Sequence, residues 1–262
     1  MTVKMQEKFH DAYAASYTGI SADRLKIIAM ITMVLDHIGA VLFPDVLWLR
    51  LIGRISFPLY VWLLVVGFLH TSGFKRYLLN MGIFALLSEI PFDLALWGKV
   101  GFEGQNIYFT LFLSLIMLYF LKHFLEKGDR IVSRTGCLAV ILTAMFVAGI
   151  LQMDYGCAGP VLAAVFYLHA YRGRPGFDQG IMIFCMAVFG KSLLRQELSY
   201  GSMSLAIAGE NMMIELFALG AVPLLNRYNG VRKYKRGKLF FYLFYPAHLL
   251  LLYGLSCFKI FS

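Results

Sequence analysis

Nine apolar stretches, each close to the length that crosses a lipid bilayer, succeed one another along this chain: 25–43, 46–69, 77–97, 107–124, 136–152, 156–171, 178–194, 202–225 and 239–258. A hydrocarbon core takes roughly 20 apolar residues per helix, with a working range of about 17–25. Inside it every backbone N–H and C=O needs a partner within the segment, so runs of this kind must be helices. The expected fold is therefore all-α: a polytopic integral membrane bundle of about nine transmembrane helices. The seventh stretch is the most polar, because Lys191 and Arg195 crowd its end.

Composition agrees. Of 262 residues, 60% are hydrophobic and 15% charged, against about 25% charged in a soluble domain. Disordered, collagenous and disulfide-stapled chains are excluded. The net charge of +9 does not indicate nucleic acid, since no basic stripe with interleaved aromatics lies on a polar face. Cys137, Cys157, Cys185 and Cys257 are widely spaced and read as packing residues; Cys157 and Cys257 are the pair that could meet near one face. Nothing in the spacing predicts a metal site. Residues 1–23 are mixed and polar, without the pattern of a cleavable signal. There Met5, Phe9 and Tyr13, four apart, make either a short interfacial helix or a loose tail. No Gly/Ser linker divides 24–262, which reads as one transmembrane domain.

Orientation follows from the basic residues. The N-terminal tail and every second connection hold eighteen of the twenty-four Lys and Arg, from Lys4 and Lys8 through Lys75, Lys122 and Arg172 to Arg227 and Lys238. The opposite side holds Lys99, Lys191, Arg195 and Lys259, with Arg50 and Arg54 inside the second stretch. Positive residues stay in the cytoplasm, which places the N-terminus there and, after nine spans, the C-terminus outside.

Ionisable groups inside spans cost about 2.5–3.5 kcal/mol each on insertion scales and mark polar interiors or pathways. This chain carries Asp36 and His37 in the first span, Arg54 in the second, Glu89 and Asp93 in the third, Glu210 and Glu215 in the eighth and His248 in the ninth. At about 1.5 Å per residue, His37 lies roughly 9 Å and Arg54 roughly 12 Å from the outer ends of their spans. Glu89, Asp93 and Glu210 fall in the same outer half, Glu215 and His248 nearer the middle. Such a layer is either a reaction site or a buried ion-pair network that fixes register. Lys26, Met30, Met33 and His37 share one helical stripe, running from a cation to an imidazole about 16 Å away. Asp36 points about 100° away from His37 and is expected either to pair with Arg54 or to accept a bond from the imidazole by a bent route. Pro58 leaves the Arg54 carbonyl without its helical donor, so a kink is expected there. Two connections, Gly104-Gln105-Asn106 and Tyr155-Gly156-Cys157-Ala158-Gly159-Pro160, bring an amide and a phenol to the mouth of the layer, and Tyr245-Pro246-Ala247-His248 adds an aromatic and a second histidine.

Lys26, Ala29, Met33 and Asp36-His37, then Gly53-Arg54 with Phe57-Pro58, Asn106, Tyr155-Gly156 with Ala158-Gly159, and Tyr245 with His248-Leu249 resemble the TraX family of membrane proteins, in order over about residues 24–250. The family is named for a conjugative-pilus protein that acetylates the N-terminal amine of pilin, and it is similar to a wider group of membrane acyltransferases. The first span of that group carries an Arg, ten residues, then an essential His; here Lys26 replaces the Arg, which keeps the charge and forfeits the bidentate fork.

The resemblance implies a membrane-embedded acyltransferase of the bacterial inner membrane. It would move an acyl group, expected to be acetyl, from cytosolic acyl-CoA to an amine or hydroxyl on an unknown peptide, protein or glycan outside. Lys26, Met30 and Met33 would then hold the cofactor, and no metal is expected. His37 would be general base or nucleophile. Asp36 or another carboxylate would hold its tautomer, and Arg54 would stabilise the thioester oxyanion or bind a CoA phosphate. Glu89, Asn106, Tyr155, Glu210, Tyr245 and His248 would serve the acceptor or support the site. Two other classes compete: a secondary transporter or proton-coupled carrier, for which convergent carboxylates and His are equally suited, and a non-catalytic assembly component.

Overall fold

In a computed structural model, residues 19–127, 129–173, 176–200, 204–231 and 238–258 are described; the Met5, Phe9 and Tyr13 segment lies outside them. The helices are α1 (Ala22–Val41), α2 (Leu47–Gly53), α3 (Ser56–His70), α4 (Phe74–Trp97), α5 (Ile107–Leu125), α6 (Arg130–Ile150), α7 (Ala158–Arg172), α8 (Phe177–Tyr200), α9 (Leu205–Leu216), α10 (Val222–Asn226) and α11 (Lys238–Cys257). A 3₁₀ turn, Phe217–Ala221, joins α9 to α10, and α2 runs into α3 with one break, so the described residues form nine rods. Among them there is no strand, only two isolated bridges, Ile20 with Tyr228 and Gln105 with Met153.

Seven of the rods are long and apolar enough to cross a membrane, and the chain is a multi-pass membrane protein. The other two differ for separate reasons: α1 carries Asp23, Arg24, Lys26 and Asp36, and α7 has 15 residues. Protein surrounds much of α7, where Leu162, Ala163, Phe166 and Tyr167 are inaccessible and α3, α5, α6 and α8 all pack on it. Its small N-terminal residues allow this: a Cβ on Gly159 would sit 2.4 Å from Thr110 Cγ2, the close backbone approach typical of membrane helix pairs.

Boundaries follow local chemistry. Asn106 caps α5 by accepting from the Tyr108 amide at 2.9 Å. Asp129 caps α6 by accepting from Ile131 and Val132, which starts that helix six residues before its apolar stretch. The kink expected at Pro58 is a break: α2 ends at Gly53, Arg54 and Ile55 form a turn, and Pro58 falls in the first turn of α3, where its missing N–H costs no ladder bond. In α11, Pro246 frees the carbonyl of Tyr242, and Tyr108 Oη donates to it at 3.2 Å.

Successive rods alternate in direction. The bridge of Ile20 to Tyr228 closes the Lys26 end of the bundle, and that of Gln105 to Met153 closes the His37 end. α1 packs on α2, α3 and α11, and α11 also packs on α4. The four cysteines are all free, so Cys157 and Cys257 do not pair.

Candidate functional site

A cavity of about 70 Å³ lies in the half of the bundle nearer His37. Its wall comes from α1 (Met33, Asp36, His37), α3 (Ser56, Phe57, Tyr60), α5 (Ile107, Tyr108, Leu111), the α6–α7 connection (Asp154, Tyr155) and α11 (Phe241, Tyr245). Five separate pieces of chain converge here, with several polar side chains among aromatic ones, the composition typical of a small-molecule site.

His37 is held by a directional chain. Its Nδ1 lies 2.7 Å from Nε2 of His248, and Nδ1 of His248 lies 2.9 Å from the Phe244 carbonyl oxygen. A carbonyl only accepts, so His248 Nδ1 carries the hydrogen and its Nε2 is the acceptor. In the neutral pair His37 therefore donates through Nδ1 and keeps an unprotonated Nε2. Tyr245 flanks both rings, 5.9 Å from His37 and 5.6 Å from His248 between centroids. A histidine, not a carboxylate, sets the tautomer of His37.

Asp36 faces the other way, into an ion lattice. Its Oδ1 accepts from Arg54 Nη2, and its Oδ2 accepts from Arg50 Nη1 at 2.9 Å. Arg54 Nη1 also donates to Glu215 Oε1 at 2.9 Å and to Tyr155 Oη at 3.1 Å, and Arg54 Nε donates to the Arg50 carbonyl at 3.3 Å. Two guanidinium groups balance two carboxylates, which is how a low-dielectric interior tolerates them. The lattice needs α1 and α2 to touch. At Gly53 a Cβ would fall 2.3 Å from Asp36 Cβ, and at Gly39 it would fall 2.8 Å from Leu49 Cβ. Gly53→Ala is accordingly expected to push Asp36 off the guanidinium pair and lower the thermal midpoint in detergent, an overpacking loss of about 1–3 kcal/mol; an unchanged midpoint would show that the two helices can part freely.

Tyr155 connects the lattice to the cavity. Its φ of 57° is left-handed, as is that of Gly156 at 51°. A non-glycine residue there costs about 1–3 kcal/mol. The ring stacks on Phe57 at 3.9 Å between centroids, worth about 0.5–1.5 kcal/mol; the charge-assisted bond from Arg54 supplies about 1.5–3 kcal/mol more. These contacts together offset the strain. Asp154, beside it, is tied into the same loop: its amide donates to the Gln105 carbonyl at 2.9 Å and its carbonyl accepts from Thr110 Oγ1 at 2.6 Å. Burial raises the Asp154 carboxyl above the ordinary carboxylate range, with Lys191 and Arg54 pulling it back.

A model of one protein family, described as "TraX protein", matches residues 21–256. The chain belongs to the TraX family. The "Probable fimbrial assembly protein FimC, serogroup H1" of Dichelobacter nodosus is 29% identical over 248 residues, covering 88% of this chain and 94% of that protein. No solved structure matches.

In this TraX-family protein the sequence-derived candidates divide by position. His37, Asp36, Met33, Tyr155 and Tyr245 reach the cavity wall, and His248 stands directly behind His37. Arg54 is not on the wall; it lies behind Tyr155 with most of its N–H groups engaged. Lys26 sits at the far end of the α1 stripe with its ammonium 5.1 Å over the Phe241 ring, and Phe241 lines the cavity while Met30 does not. Glu89 and Asn106 form a clamp between α4 and α5. The Asn106 amide donates to Glu89 Oε2 at 3.1 Å, and Asn106 Nδ2 donates to the same oxygen and to the Ala85 carbonyl; neither residue is on the wall.

Glu210 is exposed, and Glu215 takes the place expected of it. The two lie about 140° apart around α9, and the buried stripe of Ala208, Glu215, Ala218, Ala221 and Leu225 selects Glu215. That small-residue stripe was readable in the sequence, as was Arg50, one helical turn before Arg54. Ser56, Tyr60, Tyr108 and Asp154 carried no comparable signal.

Proposed function

We propose that this protein transfers an acyl group, acetyl in the first instance, from acyl-CoA to an amine or hydroxyl acceptor, with His37 as the general base. The observation that carries this reading is the chain from His37 through His248 to the Phe244 carbonyl, which leaves an unprotonated ring nitrogen on a residue of the cavity wall. A base within hydrogen-bond reach of its substrate needs this arrangement before any tuning of its pKa matters. The acceptor nitrogen or oxygen attacks the thioester carbonyl carbon and gives its proton to His37 Nε2. The C–S bond then breaks, and the departing sulfur takes that proton as CoA thiol. The excess positive charge on the imidazole is shared with His248 while the intermediate lasts.

Donor and acceptor would enter from opposite ends. Among the described residues, Lys and Arg concentrate at the Lys26 end, proposed as cytoplasmic, in keeping with a bacterial inner-membrane location, N-terminus inside and C-terminus outside. CoA phosphates meet that end, and Met33 and Phe241 lead to the cavity. The acceptor, a peptide, protein or glycan, would come past the Asp154-Tyr155 connection. The similarity to a probable fimbrial assembly protein favours a pilus or fimbrial subunit as the acceptor.

The test uses full-length protein in lipid nanodiscs with acetyl-CoA labelled in the acetyl group. The expected result is CoA thiol release and transfer of label to an added amine, above protein-free nanodiscs. Absence of both, with solute counterflow in proteoliposomes, would replace this reading by the carrier.

A further inference from the structure

The geometry points to the Tyr155 hydroxyl as the donor that stabilises the thioester oxyanion, with Arg54 acting behind it as a positioning residue. This rests on the acyl-transfer reading and extends it to a second catalytic residue. When the acceptor adds to the carbonyl carbon, the C=O π pair moves onto oxygen. That oxygen needs a preorganised donor aimed into the same cavity as the base, a contribution worth about 10²–10³ in kcat. Collapse returns the pair to C=O as C–S breaks, and Tyr155 keeps its proton throughout.

Five wall residues carry a hydroxyl: Ser56, Tyr60, Tyr108, Tyr155 and Tyr245. Tyr108 already donates to the Tyr242 carbonyl. Tyr155 differs from every other wall hydroxyl: its oxygen accepts from the Arg54 guanidinium at 3.1 Å, which commits the oxygen and leaves its one hydrogen to give. No acceptor takes that hydrogen among the described residues. A hydroxyl that accepts from a cation is a stronger donor, because hydrogen bonds in series polarise one another. The ring is also fixed before substrate arrives, by its left-handed backbone, its stack on Phe57 and the guanidinium 5.8 Å from its centroid, so alignment costs nothing during the reaction. Arg54 cannot act directly, since Asp36, Glu215, Tyr155 and the Arg50 carbonyl occupy it behind the wall.

Tyr155→Phe keeps the ring and its stack and removes only the hydroxyl. In the nanodisc assay kcat is expected to fall about 10²–10³-fold with KM for acetyl-CoA little changed. Fluorinated tyrosines placed at 155 restore the hydroxyl, and kcat should then rise with phenol acidity as long as the phenol stays protonated. A kcat for Tyr155→Phe equal to wild type would overturn the assignment while leaving acyl transfer intact, as would fluorotyrosine rates that ignore acidity. A wild-type protein that transfers nothing overturns the parent reading and this one together.

Discussion

Alanine at His37 is expected to take acyl transfer down by about 10²–10⁴-fold, the usual contribution of a positioned general base, with the thermal midpoint in detergent nearly unchanged. Fold and chemistry separate at this position because of where its partners lie. His37 is not part of the ion lattice: its hydrogen bond runs to His248 Nε2, and the Asp36 side chain beside it in sequence faces Arg50 and Arg54 instead. The loss of the imidazole thus strands one neutral acceptor and no charge. Replacing His248 grades the effect. His248→Gln retains an oxygen that accepts from His37 Nδ1 and should keep more activity than His248→Phe, which leaves that N–H unpaired and the tautomer unfixed. Label transfer and CoA release in nanodiscs measure all three variants. Full activity in His37→Ala would remove the base from the mechanism; full activity in His248→Phe would reduce the second histidine to packing.

Arg54→Met tests the lattice and should act on stability before activity. Arg54 is 7% exposed, Asp36 8% and Glu215 9%, so taking away the guanidinium leaves two carboxylates in the interior. Breaking a buried pair in this way costs about 3–5 kcal/mol, far more than a surface pair's ~0–1 kcal/mol. The cost should fall unevenly. Asp36 keeps Arg50 at 2.9 Å, whereas Glu215 loses the partner of its Oε1 and has an Oε2 with none. Adding Glu215→Gln to Arg54→Met is therefore expected to recover part of the loss, and adding Asp36→Asn to recover less. Unfolding in detergent, followed by thermal midpoint or by cysteine accessibility at Cys185, gives the comparison. A single variant as stable as wild type would mean that packing alone holds α1, α2 and α9 in register. Tyr155 gives the same variant a second readout, because without Arg54 its hydroxyl oxygen loses the cationic donor that polarises it; transfer should fall even in protein that remains folded.

Much of the architecture was readable from residue order, and the span ends show why. The apolar stretch 107–124 became Ile107–Leu125, and 239–258 became Lys238–Cys257. Where the ends moved, at Arg130 and at Tyr200, polar turns extended a helix beyond its apolar part, which hydropathy does not report. The proline at 58 marked its break correctly, since a missing N–H acts on the carbonyl four residues back wherever the helix goes. The site was legible as a layer of charges but not as a set of partnerships. The angle between Asp36 and His37 on one helix pointed to Arg54 as one of two partners for Asp36; the pairing of His37 with His248, across most of the chain, had no such local sign.

What sequence alone determined is the number of helical rods, the apolar part of each and which residues share a stripe on it. These are local matters, because in a bilayer each segment must satisfy its own backbone and the 3.6-residue repeat fixes angles within it. Tertiary structure decided which stripe of each helix turns inward and what it meets there: Glu215 in place of Glu210, a histidine in place of a carboxylate behind His37, and Tyr155 between Arg54 and the cavity. The rotation of a helix about its own axis is set by packing against neighbours far away in the chain. Close contacts such as Gly53 on Asp36 fix that rotation, and no local rule written in one helix can.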